Sequence, residues 1–525
     1  MAPPPPAPLP PASPLFEPVD QAIPSLPRQR AGIVETILIG VVIALLMAGE
    51  IAINKPRMLF DGPFQLDECL TASIVSDTNI GHSIDAVRHG VDTNPPVYHL
   101  ILRAFWMGVQ KAAPHLSIRI GLRGFSLLCT WLALVGAYII LRKGFGKAAA
   151  FVAALAIWAH PVVVEQSTDA RFYGPLLFAT VLMLLALQIR GSGIIRGVIV
   201  ALCAMLLCTL HYFGILMLGS LVLAMLLVDE APIVSRIIRV LPTVLGPLAL
   251  LPFIPFIRAQ AQGLTVRTWV DPFTFHTARD FALGVLCPLP LLIALAIWAM
   301  GKLLGCKSRT MSEVNLPRQR FATVPLLFIA LVPAIIIAFS ATVQSALIPR
   351  YAVASGLVLA GFVALLAQNR SATLLVLLAI ALSGYSVLEL HSASASRAGD
   401  MVQLVSQRDE LIGETPPLPI AFADRAGATQ LQFFAPDLLP RISLIDQRQP
   451  GVDLRNFRLY EIEMVGKVSP YYTTPPLVTP AQLAAMGRFH LIANSDDMKT
   501  LLLELPLRHI SGDIYEPIGI PATIP

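Results

Sequence analysis

Charge is scarce in this sequence. Only 14% of its 525 residues are Asp, Glu, Lys or Arg, while 55% are hydrophobic and mean hydropathy is +0.70. Soluble globular chains carry roughly 25% charged residues, so a water-soluble fold is excluded. Cysteine is equally thin. Cys69, Cys129, Cys203, Cys208, Cys287 and Cys306 are scattered, mostly within apolar runs, with no CxxC spacing, so neither a disulfide framework nor a zinc site is implied. The first 27 residues contain no Lys or Arg and are crowded with proline, which rules out the basic start of a secretory signal and reads as a disordered tail over residues 1–32. The net charge of +5 does not point to nucleic acid, because most basic residues sit in short loops between apolar runs. No internal repeat is visible.

What the chain has instead is long hydrophobic runs. Ile33 to Ile53, Phe321 to Phe339 and Ser371 to Leu390 approach the ~20 residues a helix needs to cross a hydrocarbon core. Apolar runs between charged punctuation predict about eleven transmembrane helices, near 33–53, 123–141, 147–164, 174–189, 194–213, 214–228, 237–257, 282–301, 321–340, 351–368 and 371–390. Cytoplasmic loops carry an excess of Lys and Arg. Arg28/Arg30, Arg142/Lys143/Lys147, Arg190/Arg196, Arg236/Arg239, Lys302/Lys307/Arg309/Arg318/Arg320 and Arg370 fall in alternate loops. The N-terminus is then cytoplasmic, residues 54–122 form one large outer loop, and residues 391–525 form a soluble domain outside. Within the outer loop, Pro95 to Val109 is too short and too interrupted by Arg103 for a span, and reads as an interfacial helix.

This topology leaves a second set of charges on the opposite face: Asp67, Glu68, Glu165, Asp169, Arg171, His211, Arg258, Arg267, His276, Arg279 and Arg350. Any one of them could snorkel to the interface or cap a helix. Together they oppose the positive-inside bias that the rest of the chain obeys, and charges at span ends persist when paired, wetted or functional. Arginine offers a planar fork of donors matched to phosphate, and a nearby carboxylate can take a proton from an attacking hydroxyl. Those are the two requirements for moving a sugar from a lipid phosphate to a hydroxyl, a reaction in which no metal is obligatory.

Leu66-Asp67-Glu68, Asn94-Pro95-Pro96-Val97-Tyr98, Asp169-Ala170-Arg171-Phe172-Tyr173, His211-Tyr212-Phe213-Gly214 and Pro349-Arg350-Tyr351 follow one another in this order. Over roughly residues 33–370 the chain resembles the GT-C membrane glycosyltransferases, among them the bacterial relatives of protein O-mannosyltransferases and lipid A aminoarabinose transferase. The resemblance implies a bacterial inner-membrane enzyme that uses a polyprenyl-phosphate sugar donor, without a cofactor or metal, on an unidentified glycan, lipid or protein acceptor. It implies that Asp67 is the catalytic carboxylate of an inverting transfer, with Glu68 beside it as a ligand to substrate hydroxyls or a supporting group. Asp169 and Arg171 would hold sugar hydroxyls or phosphate. Arg350 with Tyr351, His211 with Tyr212, and Tyr98 with His99 would line the substrate cavity. Asn94 stands where relatives often have His, Thr or Lys, so no phosphate-binding role passes to it. The segment from Arg258 to Asp280, with Arg267 and Trp269, is long enough to fold over the cavity.

After Leu390 the pattern changes. Pro419 to Asp424, Arg441 to Asp446, Phe457 to Met464 and Phe489 to Ala493 read as strands, with helices starting at Thr479-Pro480 and at Ser495, as in a small three-layer α/β domain. It carries no glycine-rich phosphate loop and no histidine cluster, so the chemistry is expected in the membrane part. Two competing functions stay open on sequence: a lipid-linked glycan transporter or flippase, which usually shows repeated halves and ionisable groups at the bilayer midplane, and a polysaccharide ligase or polymerase working at the same outer face.

Overall fold

The computed structural model describes residues 26–189, 193–264, 272–303, 316–413, 415–423, 425–446, 475–493, 507–511 and 513–518. The expected strand at 457–464, the helix at Ser495 and nearly all of the proline-rich N-terminus lie outside them.

Every apolar run picked out above coincides with helix, but the helices differ in reach. Gly32–Ile53, Ile118–Phe145, Ile233–Gln260, Leu316–Thr342 and Ala372–Gly413 are long and apolar enough to cross a membrane. Two more candidates are bent pairs. Lys147–Trp158 and Pro161–Ser167 meet at 68°, Phe275–Leu286 and Pro288–Leu303 at 50°. Each break falls just before a proline, which disfavours helical geometry in the residue preceding it. By length and composition the described chain therefore has five spanning helices, or seven if each bent pair is one span, against the eleven expected. The shortfall lies in Tyr173–Leu187, Ile194–Leu210, Gly214–Val228 and Ser355–Ala367. At 1.5 Å per residue these reach only about 20–26 Å, short of the ~30 Å hydrocarbon core. Next to their ends lie the loops Thr168–Phe172 and His211–Phe213 and the 3-10 turn Pro349–Ala352, the very places where the charged and aromatic motifs sit.

The first helix starts at Leu26 rather than Ile33. Its buried Glu50 accepts from Trp158 Nε1 and Ser386 Oγ, both at 2.6 Å, so three distant segments share one carboxylate. Gly174 sits against the helix Ile118–Phe145 so closely that a Cβ there would lie 2.6 Å from the Ser126 carbonyl. That contact brings the segment after Asp169 into the bundle, where Ser126 Oγ donates to the Arg171 carbonyl at 3.1 Å.

The last long helix does not stop at Leu390, where hydropathy falls. It continues through the polar half of Ala372–Gly413 as one 42-residue rod, roughly 60 Å long. Beyond it lies a six-stranded sheet of β1 (Ile420–Phe422), β2 (Ile442–Ile445), β3 (Leu477–Val478), β4 (Phe489–Ile492), β5 (Leu507–Ser511) and β6 (Ile514–Pro517) in the order β3-β2-β1-β4-β6-β5. The first four pair in parallel, and β6 joins β4 and β5 antiparallel. Side chains alternate across the pleat. Ile420, Phe422, Ile442 and Leu444 pack on one face with Leu404, Leu411 and Leu431, while Ala421, Ile445, Phe489 and Leu491 pack on the other with Leu483. The helix Arg425–Phe434 lies against Leu66–Ser76. Phe433 meets Phe64 edge-on at 6.2 Å, and Gln430 Nε2 donates to the Phe64 carbonyl at 3.3 Å.

Candidate active site

The helix Leu66–Ser76 begins with two acids, Asp67 and Glu68, in the first turn, where the helix dipole favours negative charge. Consecutive helical residues point about 100° apart, and the two carboxylates go to different environments. Glu68 turns inward. It closes a capping box by accepting from the Gln65 amide at 3.0 Å, takes Arg123 Nε at 2.8 Å and Nη2 at 2.6 Å, and takes the Ala170 amide at 2.7 Å. Burial works against its ionised form, but Arg123 outweighs burial and holds the carboxyl below its ordinary range.

Arg123 is wholly buried. Its remaining donors reach the carbonyls of Gly62 at 2.9 Å, Pro63 at 2.8 Å and Leu59 at 3.4 Å, so all five guanidinium N–H groups have acceptors. Its face covers Phe64 at 5.2 Å. One arginine thus clamps the turn before Leu66 to the helix Ile118–Phe145.

Asp92 is the second buried hub. It accepts from Asn94 Nδ2 at 2.6 Å, His99 Nε2 at 3.1 Å and Arg171 Nη1 at 2.9 Å. Burial would raise its carboxyl, yet Arg171 and His99 drive it far below the carboxylate range. Arg171 Nη1 also reaches Thr71 Oγ1 at 3.0 Å and the Asp67 carbonyl at 3.1 Å. Gln260 holds the Asp92 and Asn94 carbonyls at 3.0 and 3.3 Å and accepts from Tyr212 Oη at 2.9 Å. Tyr98 is buried edge-on to His99 and Phe172.

Asp169 pairs with Arg397, whose Nη1 takes the Leu59 carbonyl and whose Nη2 also reaches Thr168 Oγ1 at 3.2 Å. Burial, aided by the neighbouring Glu68 carboxylate, outweighs Arg397 and pushes the Asp169 carboxyl up to about 7.

Asp67 differs from these carboxylates. Its side chain is 33% exposed and faces Arg350 Nη2 at 2.9 Å, with Arg350 itself 20% exposed, whereas the side chains of Glu68 and Asp92 are 1% and 3% exposed. Pro349–Ala352 forms a single 3-10 turn that presents Arg350 over the Tyr173 ring at 5.9 Å. Beside it the rings of Tyr351, Phe213, His211 and Phe172 run in contact. Tyr351 meets Phe213 at 4.9 Å and His211 at 6.0 Å, and His211 stacks on Phe172 at 4.3 Å.

The structure therefore gathers Asp67, Glu68, Tyr98, His99, Asp169, Arg171, His211, Tyr212, Arg350 and Tyr351 at one end of the bundle. Arg267 and Trp269 lie outside the described residues. His276 and Arg279 pair locally with exposed Asp280. Three residues not singled out by sequence complete the cluster: Asp92, Arg123 and Arg397. Arg123 carried the signal used for Arg171 and Arg350, an arginine at the span end opposite the basic loops. Asp92 and Arg397 carried none.

No family model matches the chain, and no curated protein matches it. Among solved structures it is similar to ArnT from Cupriavidus metallidurans bound to undecaprenyl phosphate, with a TM-score of 0.53 and 14% identity over 94% of this chain and 99% of that one. The apo form of the same ArnT matches at a TM-score of 0.41 and 13% identity, over 93% and 98% of the two chains. At this identity the likeness to that lipid A aminoarabinose transferase is one of fold, and it runs nearly the full length of both chains.

Proposed function

We propose that this chain, sharing that fold, is a membrane glycosyltransferase that carries a sugar from a polyprenyl phosphate to an acceptor hydroxyl with inversion at the anomeric carbon. The observation that carries the reading is the Asp67–Arg350 pair, a partly exposed carboxylate and guanidinium beside the buried ion pairs Glu68–Arg123 and Asp92–Arg171. The undecaprenyl phosphate bound in the ArnT crystal structure supports the donor class.

In the resting pair each group neutralises the other. An arriving lipid phosphate competes for the Arg350 fork, since guanidinium and phosphate pair bidentately. As Arg350 turns to the phosphate, the Asp67 carboxylate is left open to accept a hydrogen bond from the acceptor hydroxyl. The acceptor oxygen then attacks the anomeric carbon, its proton passes to Asp67, and the bond from that carbon to the phosphate oxygen breaks. The electron pair stays on the phosphate, where Arg350 stabilises it. Asp67 afterwards releases the proton to water.

Glu68 and Arg171 are assigned positioning roles in this scheme. The Glu68 oxygens are taken by Gln65, Arg123 and Ala170, and Arg171 is committed to Asp92, Thr71 and the Asp67 backbone, so both set the place of Asp67 from below. His99 and Tyr212 serve Asp92 and its loop, while His211 and Tyr351 form the aromatic surface beside Arg350. Lys143, Arg196, Arg236, Arg239 and Arg318 gather at the other end of the same helices, which supports a cytoplasmic N-terminus and an outward-facing site.

The test is purified protein in nanodiscs given radiolabelled polyprenyl-phosphate sugars, read by release of polyprenyl phosphate. Release by the wild type, and release slower by about 10²-fold or more in Asp67→Asn, is the expected result. Proteoliposomes that instead move lipid-linked glycans across the bilayer, at a rate indifferent to Asp67, would replace this reading with a flippase.

A further inference from the structure

At the far end of the bundle lies a second polar site. Arg123 and Lys143 belong to the same helix, Ile118–Phe145, and stand roughly 30 Å apart along its axis, one hydrocarbon thickness. Tyr173–Leu187, Ile194–Leu210 and Gly214–Val228 run between the same two ends. Where they finish away from Asp67, a cavity of about 930 Å³ opens, lined by Lys143, Arg196, Arg236, Arg239 and Arg318 against Asp229 and Glu230. Leu187, Met225 and Phe321 supply apolar wall.

Two of these arginines are held ready. Arg196 donates through Nε to the Ile189 carbonyl at 2.8 Å and through Nη1 to the Arg239 carbonyl at 3.0 Å. Arg236 donates through Nε to the Ala231 carbonyl at 2.5 Å and through Nη1 to the Leu226 carbonyl at 2.8 Å. Neither Nη2 has a partner among the described residues. Among the described residues, the one carboxylate paired with an arginine of this cavity is Asp229, on Arg239 at 2.7 Å. Fixed guanidiniums with a donor to spare, an excess of positive charge and an apolar wall together describe a receptor for an anion attached to hydrocarbon.

We infer that this cavity binds the phosphate of a membrane lipid, in the leaflet opposite the one that Asp67 faces. The site is separate from the glycosyl-transfer cluster and does not depend on that reading.

The probe is dioleoyl phosphatidic acid, added to the full-length protein in a neutral detergent and counted by native mass spectrometry. Wild type should retain it. Lys143→Glu/Arg318→Glu, which reverses two exposed charges and leaves the pinned arginines in place, should weaken retention about tenfold or more. Arg350→Ala, at the other end, should leave that component of binding unchanged. Millimolar inorganic phosphate should not displace the lipid. Undiminished retention by the double variant overturns the proposal, and so does displacement of the lipid by inorganic phosphate, which would make the site one for a soluble anion.

Discussion

Asp67 and Arg350 are separated by 283 positions in the chain and by 2.9 Å in the fold. The carboxylate comes from the first turn of Leu66–Ser76 and the guanidinium from the 3-10 turn Pro349–Ala352. Neither element has another route to the other, so the packed bundle is what creates the pair.

Replacing Asp67 by Asn keeps the shape and the hydrogen bond from Arg350 but removes the proton acceptor. Turnover with a polyprenyl-phosphate sugar is expected to fall by about 10²- to 10⁴-fold. Donor affinity, read by equilibrium binding of the labelled lipid, should hold or rise, because Arg350 is released from a competing anion. Equal losses in binding and turnover would point to a misplaced helix instead.

Arg350→Lys retains the charge and loses the fork. Donor affinity is expected to drop about tenfold or more, and Arg350→Ala should be worse. Isothermal titration of the nanodisc-embedded protein with polyprenyl phosphate measures both. Unchanged affinity in the two variants would detach the phosphate from Arg350.

Arg123→Met strands the Glu68 carboxylate in a buried site, and Arg171→Met does the same to Asp92. Each is expected to cost about 3–5 kcal/mol of stability, since the partner charge is left uncompensated. Glu68→Gln combined with Arg123→Met should recover part of the loss in apparent Tm. A double variant no better than Arg123→Met alone would argue that the clamp on the Gly62 and Pro63 carbonyls, not the charge pair, is what matters.

Asp169 titrates near 7 in the folded protein because burial and the Glu68 carboxylate raise its carboxyl, while an unfolded Asp titrates near 4. The folded state therefore binds the extra proton, and the stabilisation is fully present below about pH 4 and lost as pH rises through about 7. The difference in apparent Tm between wild type and Asp169→Asn, followed from pH 4 to 8, should change in that window and be flat above it. A flat difference throughout would mean that Arg397 keeps Asp169 ionised at every pH.

A reporter fused after Pro525 is expected to be active only in an outside compartment, because the sheet domain packs on the Asp67 end of the bundle through Phe433 and Gln430 and Lys143, Arg196, Arg236, Arg239 and Arg318 sit at the other. Cytoplasmic activity would invert the topology.

Hydropathy is a local property, so the chain alone determined where the apolar helices run, which loops are basic, and that Asp67, Asp169, Arg171 and Arg350 sit at helix ends away from those loops. The strands at Ile420–Phe422, Ile442–Ile445 and Phe489–Ile492 were legible for the same reason, as short apolar segments between turn residues. Asp92 reads as an ordinary loop acid, and Arg397 lies past the last apolar run, in a helix whose continuation beyond Leu390 leaves no mark in hydropathy. Which carboxylate is consumed by the protein and which stays available was decided only by the tertiary structure. Asp67 and Glu68 are adjacent and chemically alike, but an ion pair forms or fails over a few ångströms, and those distances are set by how four separate segments pack around the turn at Gln65.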